Sequence, residues 1–168
     1  MDVVRELCRH NLPTCLRICA GTDGSVTHLL ELVTTKQVIV ETQEQRVIEA
    51  DAGIAELLGV SPGEPVNERI VLLRAGGVVY VRARSLASLE RMPMGMEADL
   101  MRADIPIGRI MQKHAIESRR DIGEIEILKS DLFGEECMVL SRKYRIIHDQ
   151  KTLLWINERF PIDDRWNV

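Results

Sequence analysis

Arg69, Arg82 and Arg84 fall within one run, "ERIVLLRAGGVVYVRARS" (68–85), and Glu158 lies near the end of another, "LLWINERFP" (153–161). Guanidinium groups grip carboxylates through paired N–H donors, and an inward-facing glutamate can hold a hydroxyl or help move a proton. The arginines would suit carboxylates, from the protein or from a small-molecule ligand, and the role of Glu158 depends on what its face of the strand meets.

Gly76 and Gly77, between two β-rich runs, predict a hairpin with a two-residue loop. That loop pairs Ala75 with Val78, Leu73 with Tyr80, Val71 with Arg82 and Arg69 with Arg84, and paired residues share a face. Arg69, Arg82 and Arg84 are then expected to cluster, while Ile70, Leu72, Val79, Val81 and Ala83 form a core surface on the other side. Like charges across strands repel, so carboxylates from the protein or from a ligand must stand among the arginines. A solvated face paired with surface Glu and Asp satisfies that spacing as well as a site does. In the second run, alternation turns Leu154, Ile156, Glu158 and Phe160 to one side. Glu158 then either faces a cavity or pairs with Arg142, which alternation sets beside Met138, Leu140, Tyr144 and Ile146 on a neighbouring strand.

Cys8, His10, Cys15 and Cys19 form C-x-H-x4-C-x3-C, which lacks the short paired spacing of zinc sites, so no metal is expected and the thiols are read as reduced. His28, His114 and His148 have no ligand spacing between them.

The elements that would position these residues alternate unevenly. "HLLELV", after Ser25 or Thr27 as N-cap, predicts a helix; "KQVIVETQEQRVIEA" a strand; "AGIAELLGV" a helix ended by "SPGEPV". "GMEADLMRADIPIGRIMQKH" predicts two helical pieces broken at Pro106. "RRDIGEIEIL", "ECMVLSRKYRII" and "TLLWINERF" predict three strands joined by short turns. Hairpin-linked strands with helices gathered between them argue for an α+β fold with an antiparallel sheet.

The 168 residues suit a single domain, with no repeat or linker to divide them. A 45% hydrophobic and 29% charged composition is that of a globular protein, and no apolar run approaches a membrane span. The N-terminus lacks the apolar stretch of a signal peptide, which points to the cytoplasm. The net charge of −4 disfavours nucleic acid as a partner and leaves small molecules.

From about Gly24 to Pro161 the chain resembles the chorismate lyase family, in its archaeal and mycobacterial-type branch. "DGSVT", "ERIVLL", "ARS", "ADIPIGRIM" and "NERFP" occur in the family's order and spacing. The resemblance implies a six-stranded antiparallel sheet with helical flaps over a buried ligand cavity. It also implies cleavage of chorismate to 4-hydroxybenzoate and pyruvate without metal or cofactor. Carried over by position, it makes Arg69 the binder of a substrate carboxylate and Glu158 the acidic group at the ring hydroxyl, with Val26 and Ile107 lining the ligand at the flaps. Arg84, in "ARS", joins the expected binding residues. The family's better-known bacterial members have Met in place of Val26, Leu in place of Ile107 and Thr in place of Asn157. The stretch from Leu57 to Ser85 is also similar to effector-binding domains of winged-helix repressors, which share the fold and only sense small molecules. About 25 residues precede the first shared segment, too few for a winged helix, so direct DNA regulation is not expected. A free-standing sensor of aromatic acids is the alternative to a lyase.

Overall fold

Six strands form one antiparallel sheet in the computed structural model, which describes residues 1–102 and 105–168. They are β1 (Val38–Glu49), β2 (Pro65–Ala75), β3 (Val78–Ser88), β4 (Arg119–Ser130), β5 (Cys137–His148) and β6 (Lys151–Pro161). Across the sheet the order is β1-β2-β3-β6-β5-β4, so β6 returns from the far hairpin to pair with β3 and becomes a central strand. Helices α1 (Val3–Cys8), α2 (Thr14–Gly21) and α3 (Val26–Thr34) precede the sheet. α4 (Ala52–Leu58) follows β1, while α5 (Met96–Met101) and α6 (Ile107–Lys113) lie between β3 and β4. Ala103 and Asp104, which open the "ADIPIGRIM" motif, lie outside the described residues.

One face of the sheet carries two separate apolar clusters. Leu7, Leu16 and Leu30 of α1–α3 pack on Leu73, Val81 and Phe160, and Met96, Leu100 and Ile110 of α5 and α6 pack on Ile146, Leu154 and Ile156. Their burial holds the two helical groups over opposite parts of the face. The polar rows of the sheet lie between them. On the outer face, α4 buries Leu58 against Val66, Leu86 and Trp155.

The hairpin corrects one expectation. Gly76 and Gly77 have φ of 56° and 83° and form the two-residue loop, with Ala75 opposite Val78. Beyond that pair the register slips: Arg74 faces Val79 but Leu73 faces Val81, leaving Tyr80 as an extra residue in a β-bulge. The bulge lets Tyr80 and Val81 both be buried, with Tyr80 edge-on to Trp166 at 5.0 Å between ring centroids. Past the bulge every β3 side chain is reversed relative to the simple hairpin. Arg69 therefore pairs with Ser85 and Val71 with Ala83, on the inner face, whereas Arg82 and Arg84 point outward. The expected cluster of three arginines does not form. Arg84 binds Glu68 Oε1 with its Nε at 2.8 Å, and Arg46 holds the other oxygen at 2.7 Å.

Several carboxylates owe their state to such partners. Hydrogen bonds from Lys113 and His114 hold Asp99, which ties α5 to α6, below the usual carboxylate range, and one from Arg74 does the same for Glu41. For Glu68 burial alone would act upward, but Arg46 and Arg84 outweigh it; for Asp163 burial is likewise outweighed by Arg165. A carboxyl whose folded pKa is depressed stabilises the fold above its unfolded value of about 4, and that contribution is lost as pH falls through the folded value. The melting temperature is expected to drop as pH falls from about 5 towards 2, with a shallower drop in Asp99→Asn. A melting temperature unchanged down to pH 3, followed by calorimetry, would contradict this.

Candidate active site

The register of the inner face assembles the site. Arg69, Ser85, Ile156, Tyr144 and Ile122 form one row across five strands, and Val71, Ala83, Glu158, Arg142 and Ile125 form the next. Above these rows, between the two helical groups, lies a cavity that opens to solvent. Arg69, Arg120, Tyr144 and Glu158 supply its titratable lining, and Val26, Pro106 and Ile107 close it from the helices. A strand as apolar as β6 can carry Glu158 inward because the sheet there faces a cavity as well as a core.

Glu158 is 6% exposed and its two oxygens have different partners. Oε2 accepts from Arg142 Nε at 3.1 Å and Nη2 at 2.5 Å, while Oε1 accepts from Tyr144 Oη at 3.0 Å. Both alternatives for Glu158 are therefore realised at once: it lines the cavity and it is paired with Arg142. Arg142, wholly buried, also donates from Nη1 to the carbonyls of Ala20 at 2.8 Å and Thr22 at 2.7 Å. It thus satisfies carbonyls at the end of α2 and fixes the turn that leads into α3. Burial, reinforced by the neighbouring Glu158, pushes the Tyr144 phenol well above its ordinary range, so the tyrosine serves as a hydrogen-bond donor.

Arg69, 2% exposed, reaches across the cavity floor to the flap segment, with Nη1 donating to the Ile105 carbonyl at 2.9 Å and Nη2 to Thr42 Oγ1 at 3.3 Å. The flaps themselves touch. Ser25 caps α3 by accepting from the His28 N–H, and Gly108 in the first turn of α6 comes so close that an added Cβ would stand 3.1 Å from Ser25 Oγ. Arg109 closes the contact from outside by pairing with Glu31 at 2.6 Å. Val26 opens α3 and Ile107 opens α6, which puts the first residue of each flap helix at the cavity.

The structure thus brings together four of the five expected site residues, Glu158, Arg69, Val26 and Ile107; Arg84 stands on the other face. Sequence reasoning gave no role to Arg120 and Tyr144. Tyr144 had been placed on the face of Arg142 by alternation. Arg120 was hidden because Gly123 is an extra residue in β4, so Ile122 and Ile125 share the inner face and Arg120 follows Ile122.

Cys19 is buried on α2, and burial pushes its thiol up to about 12, which makes it unreactive at neutral pH. Among the described residues no helix is long and apolar enough to cross a membrane.

Comparison with known proteins agrees with the geometry. Residues 21–166 match the family model described as chorismate pyruvate-lyase Rv2949c-like. The chain belongs to that family. A candidate lyase of Methanocaldococcus jannaschii is 33% identical over 157 residues, spanning 87% of this chain and 77% of that protein. The chorismate pyruvate-lyase of Mycobacterium leprae is 27% identical over 154 residues, 86% of this chain and 73% of its own. Among solved structures, the effector domain of PhnF from Mycobacterium smegmatis superposes with a TM-score of 0.65 at 18% identity, covering 82% of this chain and 88% of that domain. The chain therefore shares its α+β sheet with the PhnF effector domain, and the fold alone does not decide function.

Proposed function

We propose that this member of the chorismate pyruvate-lyase Rv2949c-like family binds chorismate in the cavity and eliminates pyruvate from it in the cytoplasm, leaving 4-hydroxybenzoate, with no metal or cofactor. The observation that carries the reading is the presence of a buried cation, Arg69, and a hydroxyl acceptor, Glu158, in the lining of one cavity. Arg69 holds the ring carboxylate, a contact common to substrate and product. Glu158 Oε1, already accepting from Tyr144, accepts the ring hydroxyl with its remaining lone pair. In the reaction the C4–H and C3–O bonds break and the C4–H electron pair becomes the new ring double bond. The C3–O pair leaves with enolpyruvate, which takes up a proton at its methylene carbon to become pyruvate. Glu158 is the group beside the carbon that loses its proton, and aromatisation of the ring supplies the driving force, so the protein's part is to orient the substrate and assist the proton. Val26 and Ile107 exclude water by closing over the ring.

Incubation of the purified protein with chorismate, quantifying both products, tests this. Equal amounts of 4-hydroxybenzoate and pyruvate are expected. Tight binding of either aromatic acid without turnover, beside an active control enzyme, would favour a sensor of the kind found among proteins that share the fold.

A further inference from the structure

Arg120 is a cation for which the reaction outlined above has no assigned use. It stands on β4, the last strand of the sheet, while Arg69 stands on β2, so four strand steps separate their backbones, about 19 Å at the usual spacing. Both side chains nevertheless line the same cavity, one from each side, with Glu158 on β6 between them in strand order. Arg120 Nη1 donates to the Asp23 carbonyl at 2.9 Å, which anchors the guanidinium at the root of the α3 flap. Its Cζ lies 6.0 Å from the centre of the ring of Tyr144, the residue whose hydroxyl donates to Glu158. Nε is buried and has no hydrogen-bond partner among the described residues. A buried donor left unsatisfied is costly, and its burial inside a ligand cavity points to a partner supplied by the ligand.

We infer that Arg120 is a second anion anchor and that the cavity is built for a dianion: one carboxylate on Arg69, a hydroxyl on Glu158, and a second carboxylate, on a side chain next to that hydroxyl, on Arg120. The inference rests on the proposed reading, in which the substrate carries two carboxylates and the aromatic product one. Arg69 then binds what substrate and product share, and Arg120 binds the part that leaves. Its charge also lies beside the oxygen that takes up the electron pair when the C3–O bond breaks, so it favours departure of the enolpyruvate as well as binding of the substrate. Release follows from the same arrangement: once the bond is cut, the ring retains one arginine contact and the three-carbon acid the other.

The test separates binding from turnover. Affinities of wild type, Arg120→Gln and Arg120→Lys are measured by calorimetry for 4-hydroxybenzoate and for the unreactive diacid 3-(carboxymethoxy)-4-hydroxybenzoate, with kcat and KM for chorismate alongside. Wild type is expected to prefer the diacid. Arg120→Gln should weaken the diacid at least tenfold and lower kcat/KM for chorismate by more than that, while 4-hydroxybenzoate changes less than twofold; Arg120→Lys should recover part of the loss. Equal weakening of both ligands, or no weakening of either, would overturn the assignment and leave Arg120 a structural tie to Asp23. Absence of preference for the diacid in wild type would overturn it too. If the diacid depends on Arg120 but chorismate is never turned over, the dianion cradle stands and the lyase reading falls.

Discussion

Arg142→Leu is expected to lower the free energy of unfolding by about 3–5 kcal/mol, because removing one member of a buried ion pair leaves the other charge without compensation. The guanidinium is wholly buried and makes four hydrogen bonds: two to Glu158 Oε2 and one each to the carbonyls of Ala20 and Thr22. Leucine leaves the carboxylate facing only Tyr144 and strips two carbonyls of their donor at the α2–α3 turn. The double substitution Arg142→Leu/Glu158→Leu should recover much of the loss, since well-packed apolar residues often match or exceed a buried pair in stability. Urea unfolding of the two variants and wild type measures this. A single-variant loss below about 1 kcal/mol would mean that water or a rearranged turn replaces Arg142. Recovery of stability in the double variant, with no recovery of activity, would identify the pair as something retained for the site at the expense of the fold.

The sequence made much of the scaffold legible because its strands are long and their turns carry strong signals. Gly76 and Gly77 placed the loop, and the alternation of β6 placed Glu158 inward, both from local geometry. The single-residue insertions were not legible, and two of them bear on the arginines. Tyr80 and Gly123 each add a residue to one strand of a pair, and each reverses which side chains face the cavity. The first sent Arg82 and Arg84 outward; the second concealed Arg120. Neither bulge follows from propensity, since the Tyr80 bulge is stabilised by burial against Trp166, a residue far off in sequence. The resemblance to a known family supplied Arg69 and Glu158 without needing the register, whereas the simple hairpin pairing attached Arg84 to the site and the bulge at Tyr80 removes it.

Glu158→Gln is expected to lower kcat for chorismate by about a hundredfold or more, while the affinity for 4-hydroxybenzoate changes much less. The amide keeps the shape and can still accept from Tyr144 or donate to a ligand, but it cannot take a proton from carbon. It also leaves Arg142 without a counter-charge, so stability falls together with activity. Rates must therefore be read well below the variant's own melting temperature, with 4-hydroxybenzoate affinity as the report on an intact cavity. Arg69→Ala provides the contrast. It removes a charge-assisted contact to a carboxylate present before and after the reaction, so substrate and product should both weaken, by about 1.5–3 kcal/mol. The two variants thus separate a group needed for the bond-breaking step from one needed to hold the acid. If Glu158→Gln turned over chorismate at the wild-type rate while retaining its fold, Glu158 would be reduced to the partner of Arg142 and a positioning group for the hydroxyl. The proton would then have to leave C4 without it, by direct transfer to the departing enolpyruvate methylene within the bound substrate.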